Sequence, residues 1–150
     1  MTRRSILGTA ALALVLAWPA AALEPVNKTA IGGLAVDGHD VVAYFTDDKV
    51  VAGSSTHELE WNGATWRFAS AEHLAMFERE PEKYAPAYGG YCAWAVAHNY
   101  TADTDAGAWA IVDGHLYLNY SKKVQEKWIQ DRAAYIEQAD ANWPRLLAAE

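Results

Sequence analysis

The chain is poor in the residues from which metal and phosphate sites are recognised. It contains a single cysteine, Cys92, which therefore cannot form an internal disulfide. It has no CxxC, HExxH or similarly close pair of cysteine and histidine residues, so spacing alone indicates no metal site. Its glycine pairs, Gly32-Gly33 and Gly89-Gly90, lack the lysine and the spacing of a phosphate-binding loop. Its 12 basic residues are outnumbered by 19 acidic ones, which argues against nucleic acid binding, because phosphates need a basic surface.

Only one apolar run is long, from Ile6 to Trp18, and it is shorter than the roughly 20 residues that span a membrane. It follows Arg3 and Arg4 and ends in small residues, which is typical of a secretory signal peptide. We expect cleavage after Ala22, so that residues 1–22 are a signal peptide and the mature protein is periplasmic or secreted. The arginine pair fits the twin-arginine route, and the apolar run fits the general secretory route equally well. Cleavage removes two positive charges, which changes the formal charge from −7 to about −9.

Residues 23–150 have the length of one domain, which can bury a core without disulfides. Alternating large apolar residues flank Asn62-Gly63, a strong signal for a β-hairpin. Ser70 then begins a predicted helix, which Pro81 ends. A short strand is predicted at residues 31–38. The fold class predicted is therefore a small, single α+β domain.

The second half repeats this plan 51 residues later, with a predicted hairpin, a helix and then a third helix from Asp131 to Ala141. The matched pairs are Gly63 and Gly114, Trp66 and Tyr117, Ser70 and Ser121, Phe77 and Trp128, and Tyr84 and Tyr135. We predict an internal duplication of a hairpin-plus-helix unit, at about residues 37–87 and 88–139, in which neither copy buries its apolar face alone. Chance similarity between two aromatic-rich hairpins is the alternative.

The segment Tyr88–Ala95 joins the two halves and contains the cysteine, two glycines and three aromatic residues. Cys92 precedes a predicted helix, a place where a thiol becomes a better nucleophile or metal ligand. An unpaired thiol in an oxidising compartment is buried, bound to metal, reactive or paired with another molecule. The competing interpretation is a buried, small apolar side chain, which a free cysteine often is.

Two histidines are candidates to complete a metal site with Cys92. His73 lies three residues after Ser70, and His98 lies six residues after Cys92. A thiolate with one or two imidazoles suits copper(I) or zinc. The competing interpretation of His73 is a histidine on the helix surface, and His98 reaches the same pocket only if the helix ends between Cys92 and His98. Five further residues are candidates for a small-ligand pocket at the same joint, although aromatic residues are first of all core residues: His39, Asp40, Tyr44, Tyr91 and Trp94.

The run from Trp61 to Ser70, followed by Phe77, Pro81 and Tyr84, resembles the YHS domain. Three further stretches resemble a secreted branch of this family, some members of which carry selenocysteine at the position of Cys92: Asp40–Phe45, Gly89–Ala93 and Asp113–Tyr120. The resemblance implies a small α+β module linked with heavy-metal handling, and with copper in particular. It also implies metal ligands at the positions of Ala43, Ala69 and His73, of which only His73 has a donor side chain.

The usual family metal site is therefore predicted to be absent, and either Cys92 replaces it or the metal role is lost. We expect a periplasmic binding protein that holds a soft metal, copper favoured and zinc second, through Cys92 with His73 or His98. Its partner is a metal ion or a small molecule, and binding is favoured over catalysis. Two alternatives stay open: a redox protein in which Cys92 cycles through a sulfenate or a mixed disulfide, and an interaction domain with Cys92 in its core.

Overall fold

The computed structural model of the protein describes residues 13–17 and 21–149. Most of the predicted signal peptide, namely residues 1–12 and 18–20, lies outside the described residues. Across the part of the chain that is described, no helix is both long enough and apolar enough to cross a membrane.

Helices and short antiparallel sheets make up the described chain, which confirms the predicted α+β fold. In chain order the elements are α1 (Val41–Thr46), β1 (Ser54–Trp61), β2 (Ala64–Phe68), α2 (Ala71–Arg79), α3 (Pro81–Tyr84), α4 (Ala93–Ala97), β3 (Asp105–Val112), β4 (His115–Asn119), α5 (Lys122–Gln130) and α6 (Arg132–Ala148). Short 3₁₀ turns at Val36–Gly38 and Ala87–Gly90 precede α1 and α4. Strands β1 and β2 form one two-stranded antiparallel sheet, and β3 and β4 form another.

The two hairpins share one register. Leu59 pairs with Trp66 in the first hairpin, and Ala110 pairs with Tyr117 in the second, so that each partner is displaced by 51 residues. Both ladders are irregular at the same place, between their first and second residue pairs. Both turns consist of two residues with positive φ, as a tight hairpin turn requires: Asn62-Gly63 and Asp113-Gly114.

A nine-residue helix follows each hairpin and begins with a serine cap. The Ser70 hydroxyl accepts a hydrogen bond from the His73 N–H at 3.1 Å, and the Ser121 hydroxyl accepts one from the Val124 N–H at 3.2 Å. Both caps satisfy an N–H group that a helix start leaves unpaired. This likeness is one of local geometry, and an internal duplication stays a prediction.

Two elements differ from the prediction. Residues 31–38 form turns and isolated bridges instead of a strand, because most of this segment has positive φ, including Val36 at 49°. Helix α6 continues seven residues beyond the predicted end at Ala141, past Pro144. It continues because Trp143 packs against Tyr88 and Tyr91, which gives the last turns of the helix an apolar contact.

Two clusters of buried residues fill the described chain, and the first also contains Ala106, Leu116 and Leu118 of the second half. The first is built around Trp66, Phe68 and Phe77, whose rings pack with centroids 4.9 to 5.1 Å apart. The second is built around Tyr117 and Trp128, with centroids 5.5 Å apart. Aromatic pairs at such distances add to the free energy gained from burial.

The segment that follows the predicted cleavage site lies over the joint between the halves. The Asn27 N–H donates to the Gly89 carbonyl at 2.8 Å, and the Tyr91 hydroxyl donates to the Glu24 carbonyl at 3.1 Å. Gly89 has a φ of +60°, and a Cβ atom there would lie 2.0 Å from the Pro25 carbonyl oxygen. Glycine is therefore required for this close approach, which fixes the chain just before Cys92.

Candidate functional site

Asp40 is a fully buried N-cap of α1. Its Oδ1 accepts hydrogen bonds from the backbone N–H groups of Val42 and Ala43, at 2.9 and 3.2 Å. Its Oδ2 accepts one from the Ala69 N–H at 2.9 Å and lies 2.6 Å from His73 Nδ1. A carboxylate only accepts, so His73 carries its proton on Nδ1 and donates it. The four bonds satisfy a polar group whose burial would otherwise be costly.

This closed network, the Asp40 site, lies where the family resemblance implies a metal. The three implied ligand positions, Ala43, Ala69 and His73, all converge on the Asp40 carboxylate. The two alanines contribute only backbone N–H groups, which donate and cannot bind a cation. His73 Nε2 lies 3.4 Å from the Thr46 hydroxyl. A metal with several protein ligands does not fit these residues.

Cys92 occupies the corresponding place before α4 and is also buried. Its sulfur accepts a hydrogen bond from the Tyr120 N–H at 3.3 Å and lies 3.7 Å from Asn119 Oδ1. Tyr120 follows Ala69 by 51 residues, and the two residues have the same role. In the first half the Ala69 N–H, just after β2, donates to Asp40 before α1, and in the second half the Tyr120 N–H, just after β4, donates to Cys92 before α4. Asn119 Oδ1 also accepts the Trp94 N–H at 3.1 Å. Among the described residues, the hydrogen-bond partners of the sulfur are therefore Asn119, the last residue of β4, and Tyr120, which follows it.

Cys92 also lines a pocket of about 240 Å³. Most of its walls are apolar or aromatic: Cys92, Trp94, Ala95, Tyr100, Ala102, Tyr120 and Val124. Tyr100 and Tyr120 are 47% and 58% exposed and form the rim. Val124 follows His73 by 51 residues, so an aliphatic side chain and open space replace the imidazole of the first half. This Cys92 pocket can hold a small, largely apolar ligand against a single sulfur.

The predicted metal ligands have separate partners, so the structure does not assemble the set of Cys92, His73 and His98. His73 belongs to the Asp40 site. His98 Nδ1 lies 2.6 Å from the Trp94 carbonyl oxygen, and its ring stacks on the Trp94 indole with centroids 3.8 Å apart. Within residues 13–17 and 21–149, no group of three or more His, Cys, Asp or Glu residues could hold a metal ion.

Of the five residues predicted to line a pocket near Cys92, Trp94 is the one that does. Tyr44 lies in the first core, where its hydroxyl donates to the Ala106 carbonyl at 2.7 Å. Burial raises the pKa of Tyr44, and the carboxylates of Asp105 and Asp37 raise it further.

The other three predicted pocket residues also support the fold. Tyr91 reaches the segment that precedes the first turn, and burial, with a smaller effect of nearby carboxylates, raises its pKa. His39 Nδ1 lies 3.0 Å from the Val36 carbonyl oxygen. Asp40 is the cap described above. These residues hold the joint and the first helix and do not line the Cys92 pocket.

Asn119, Tyr100 and Ala102 were not predicted from the sequence. Asn119 is the most informative of them, because it is fully buried at the end of a strand of apolar residues. The 51-residue offset pairs it with Phe68, which is buried and apolar. An asparagine in the place of a core phenylalanine is the signal that could have identified it.

The family comparison matches the first half of the chain only. The YHS domain model matches residues 42–88, which contain α1 to α3 and His73, and the match ends before Cys92. No curated protein and no solved structure is significantly similar to the chain. The resemblance to a secreted branch of the family stays a prediction. The similarity to known proteins is therefore that of residues 42–88, where a YHS domain is found.

Proposed function

We propose that this protein is an exported binding protein in which a small, soft ligand binds at the sulfur of Cys92. One observation carries the proposal: the only thiol of the chain is part of the wall of an apolar pocket, whereas the metal position of the family is filled by Asp40. Small-molecule sites are concave and mostly apolar, with a few polar or reactive groups that fix the ligand. The Cys92 pocket has this composition.

Copper is the ion that the link between YHS domains and metals favours, and a thiolate is a ligand that copper(I) prefers. The Cys92 pocket has one sulfur and no imidazole among its walls. Copper would therefore be a cargo that brings its second ligand with it, such as a small thiol. Zinc is less suitable, since its sites almost always have three or four protein ligands.

Native mass spectrometry with elemental analysis tests the proposal on protein matured in a bacterial periplasm and then incubated with copper(I)–glutathione. We expect one copper, or one small organic ligand, in the wild type and none in Cys92→Ser. The matched controls are His73→Ala and His98→Ala, which remove the other predicted ligands and are expected to retain the ligand.

Two results would contradict this function. A ligand that survives in Cys92→Ser would place the site elsewhere, and a wild type that binds nothing would leave no binding function at Cys92. Loss of copper in His73→Ala or His98→Ala, with the fold intact, would instead restore the metal site predicted from the sequence.

A thiol redox role is the second candidate, and it is favoured by the polar groups at the sulfur. Tyr120 provides an N–H and Asn119 a carboxamide in an otherwise apolar pocket. The chain has no second cysteine to form an internal disulfide, so an oxidised Cys92 would need an external thiol for its reduction.

A further inference from the structure

A buried and half-satisfied carboxamide lies beside the sulfur of Cys92. Asn119 is fully buried, and its Oδ1 lies 3.7 Å from that sulfur. The Trp94 N–H fixes the orientation of the amide, because an N–H group donates to the oxygen and not to the nitrogen. Nδ2 has no hydrogen-bond partner among the described residues. Buried polar groups are nearly always paired, so this donor needs an explanation.

The packing of the core does not explain why a buried asparagine with an unpaired Nδ2 stands at position 119. The matched residue in the first hairpin, Phe68, is fully buried and has no polar side-chain atom. The same place in the hairpin is therefore filled by an apolar side chain where no cysteine is present. The unpaired donor occurs in the half that contains the thiol, on the carboxamide that contacts the sulfur.

We propose that Cys92 reacts with hydrogen peroxide and that Asn119 is the positioning residue that stabilises the sulfenate product. The sulfur attacks one peroxide oxygen, an S–O bond forms and the O–O bond breaks. The thiol proton goes to solvent, and the departing hydroxide takes the proton of the transferred hydroxyl group and leaves as water. The product is the sulfenate anion, so sulfur loses two electrons and peroxide gains two. The new oxygen is an acceptor next to the sulfur, where it pairs with Asn119 Nδ2. The pocket admits the peroxide, and the sulfenate has no second cysteine with which to condense.

The inference shares with the proposed function only the requirement that the Cys92 pocket is open. The mature full-length protein is reduced, treated with one equivalent of hydrogen peroxide and trapped with dimedone after increasing delays, with intact-mass detection. We expect the dimedone adduct in the wild type and none in Cys92→Ser. In Asn119→Asp, an oxygen replaces Nδ2, while Oδ1 still accepts from Trp94. We expect this variant to give about 10-fold less dimedone adduct than the wild type after the same delay. The factor corresponds to the loss of one hydrogen bond to a charged group.

Gln125→Glu is the matched control, because Gln125 is another buried amide, which donates to the Trp109 carbonyl and is not among the residues that line the Cys92 pocket. It is expected to keep the wild-type sulfenate lifetime. If Asn119→Asp does not fold by circular dichroism, Asn119→Leu takes its place, since the matched Phe68 shows that an apolar residue is accepted there. A wild-type lifetime in the folded Asn119 variant would overturn the proposal.

Labelling with N-ethylmaleimide separates the two proposals. A Cys92 that is alkylated but gives no dimedone adduct would overturn the peroxide reaction and leave ligand binding intact. A Cys92 that reacts with neither reagent is closed to ligands, and both proposals would then be wrong.

Discussion

The two halves of this protein use the same position, the residue before a short helix, in opposite ways. In the first half, the fully buried carboxylate of Asp40 accepts four hydrogen bonds. In the second half, Cys92 receives one backbone N–H and lies against a pocket of about 240 Å³. The change from a closed polar network to an open apolar pocket follows from the residues that replace Asp40 and His73, namely Cys92 and Val124.

This difference suggests different roles for the two positions: Asp40 stabilises the fold, and Cys92 belongs to the candidate binding site. A carboxylate at the start of a helix satisfies N–H groups and interacts favourably with the helix dipole, so the Asp40 site supports the fold. A thiol makes weaker hydrogen bonds, and Cys92, although buried, forms part of a pocket wall. The half that matches the YHS family is therefore the structural one at this position, and the half beyond the match contains the candidate site.

The largest expected effect is on stability, at Asp40. Asp40→Ala leaves three backbone N–H groups and the His73 imidazole without an acceptor in a buried place, so we expect a loss of roughly 3–5 kcal/mol in the free energy of unfolding. Cys92→Ala, at the corresponding place, removes one atom next to a pocket and should cost about 1 kcal/mol. Urea denaturation of both variants measures the difference, and equal losses would show that the two sites are equally structural.

The joint between the halves gives the next effect. Gly89→Ala combines a positive φ with a Cβ atom 2.0 Å from the Pro25 carbonyl oxygen, so the chain before Cys92 must move. We expect a loss of about 3 kcal/mol or more. Gly63→Ala is the control, since Gly63 also has positive φ but has no atom within 4 Å of the added Cβ, and it should cost about 1 kcal/mol. Thermal unfolding of the pair tests whether the contact with Pro25, and not φ alone, matters.

The local parts of this structure could be predicted from the sequence. Asn62-Gly63 and Ser70 determine a turn and a helix start through their own backbone preferences and short-range hydrogen bonds, and both predictions are correct. Asp40 caps α1 through hydrogen bonds of the same short range. Predictions of this kind need only residues a few positions apart.

The site itself depends on contacts across the chain. The Asp40–His73 pair joins residues 33 positions apart, and the Cys92–Asn119 contact joins residues 27 positions apart. His98 was grouped with Cys92 because it is near in sequence. Its ring instead folds back on Trp94 of the same short helix, an interaction that spacing alone does not distinguish from metal binding.

The substitution Val124→His should give the Cys92 pocket a second metal-binding side chain. Val124 lines the Cys92 pocket and occupies the place of His73, so Val124→His adds an imidazole to the thiol. Two protein donors in one pocket should bind cobalt(II) about 10-fold more tightly than Cys92 alone, which corresponds to about 1.4 kcal/mol. Thiolate-to-cobalt absorption measures the affinity, with the double variant Cys92→Ser/Val124→His as control. No gain over the wild type would mean that Val124 does not face the sulfur.

The smallest expected effect is a dependence on alkaline pH that the two halves share. Burial raises the pKa of Tyr44 in the first half, and burial with a hydrogen bond to Asp140 raises that of Tyr88 in the second. The folded state keeps both hydroxyls protonated, whereas in the unfolded chain they ionise near pH 10. The stability they contribute is therefore complete below about pH 10 and is lost as the pH rises further, by about 1 kcal/mol per tyrosine near pH 10.5. Urea denaturation at a series of pH values should show a shallower alkaline loss in Tyr44→Phe and in Tyr88→Phe than in the wild type. Equal reductions would show that burial protects the two halves alike, so that their difference is confined to the residues around Asp40 and Cys92; an unchanged slope in either variant would show that its hydroxyl ionises as readily in the folded protein as in the unfolded chain.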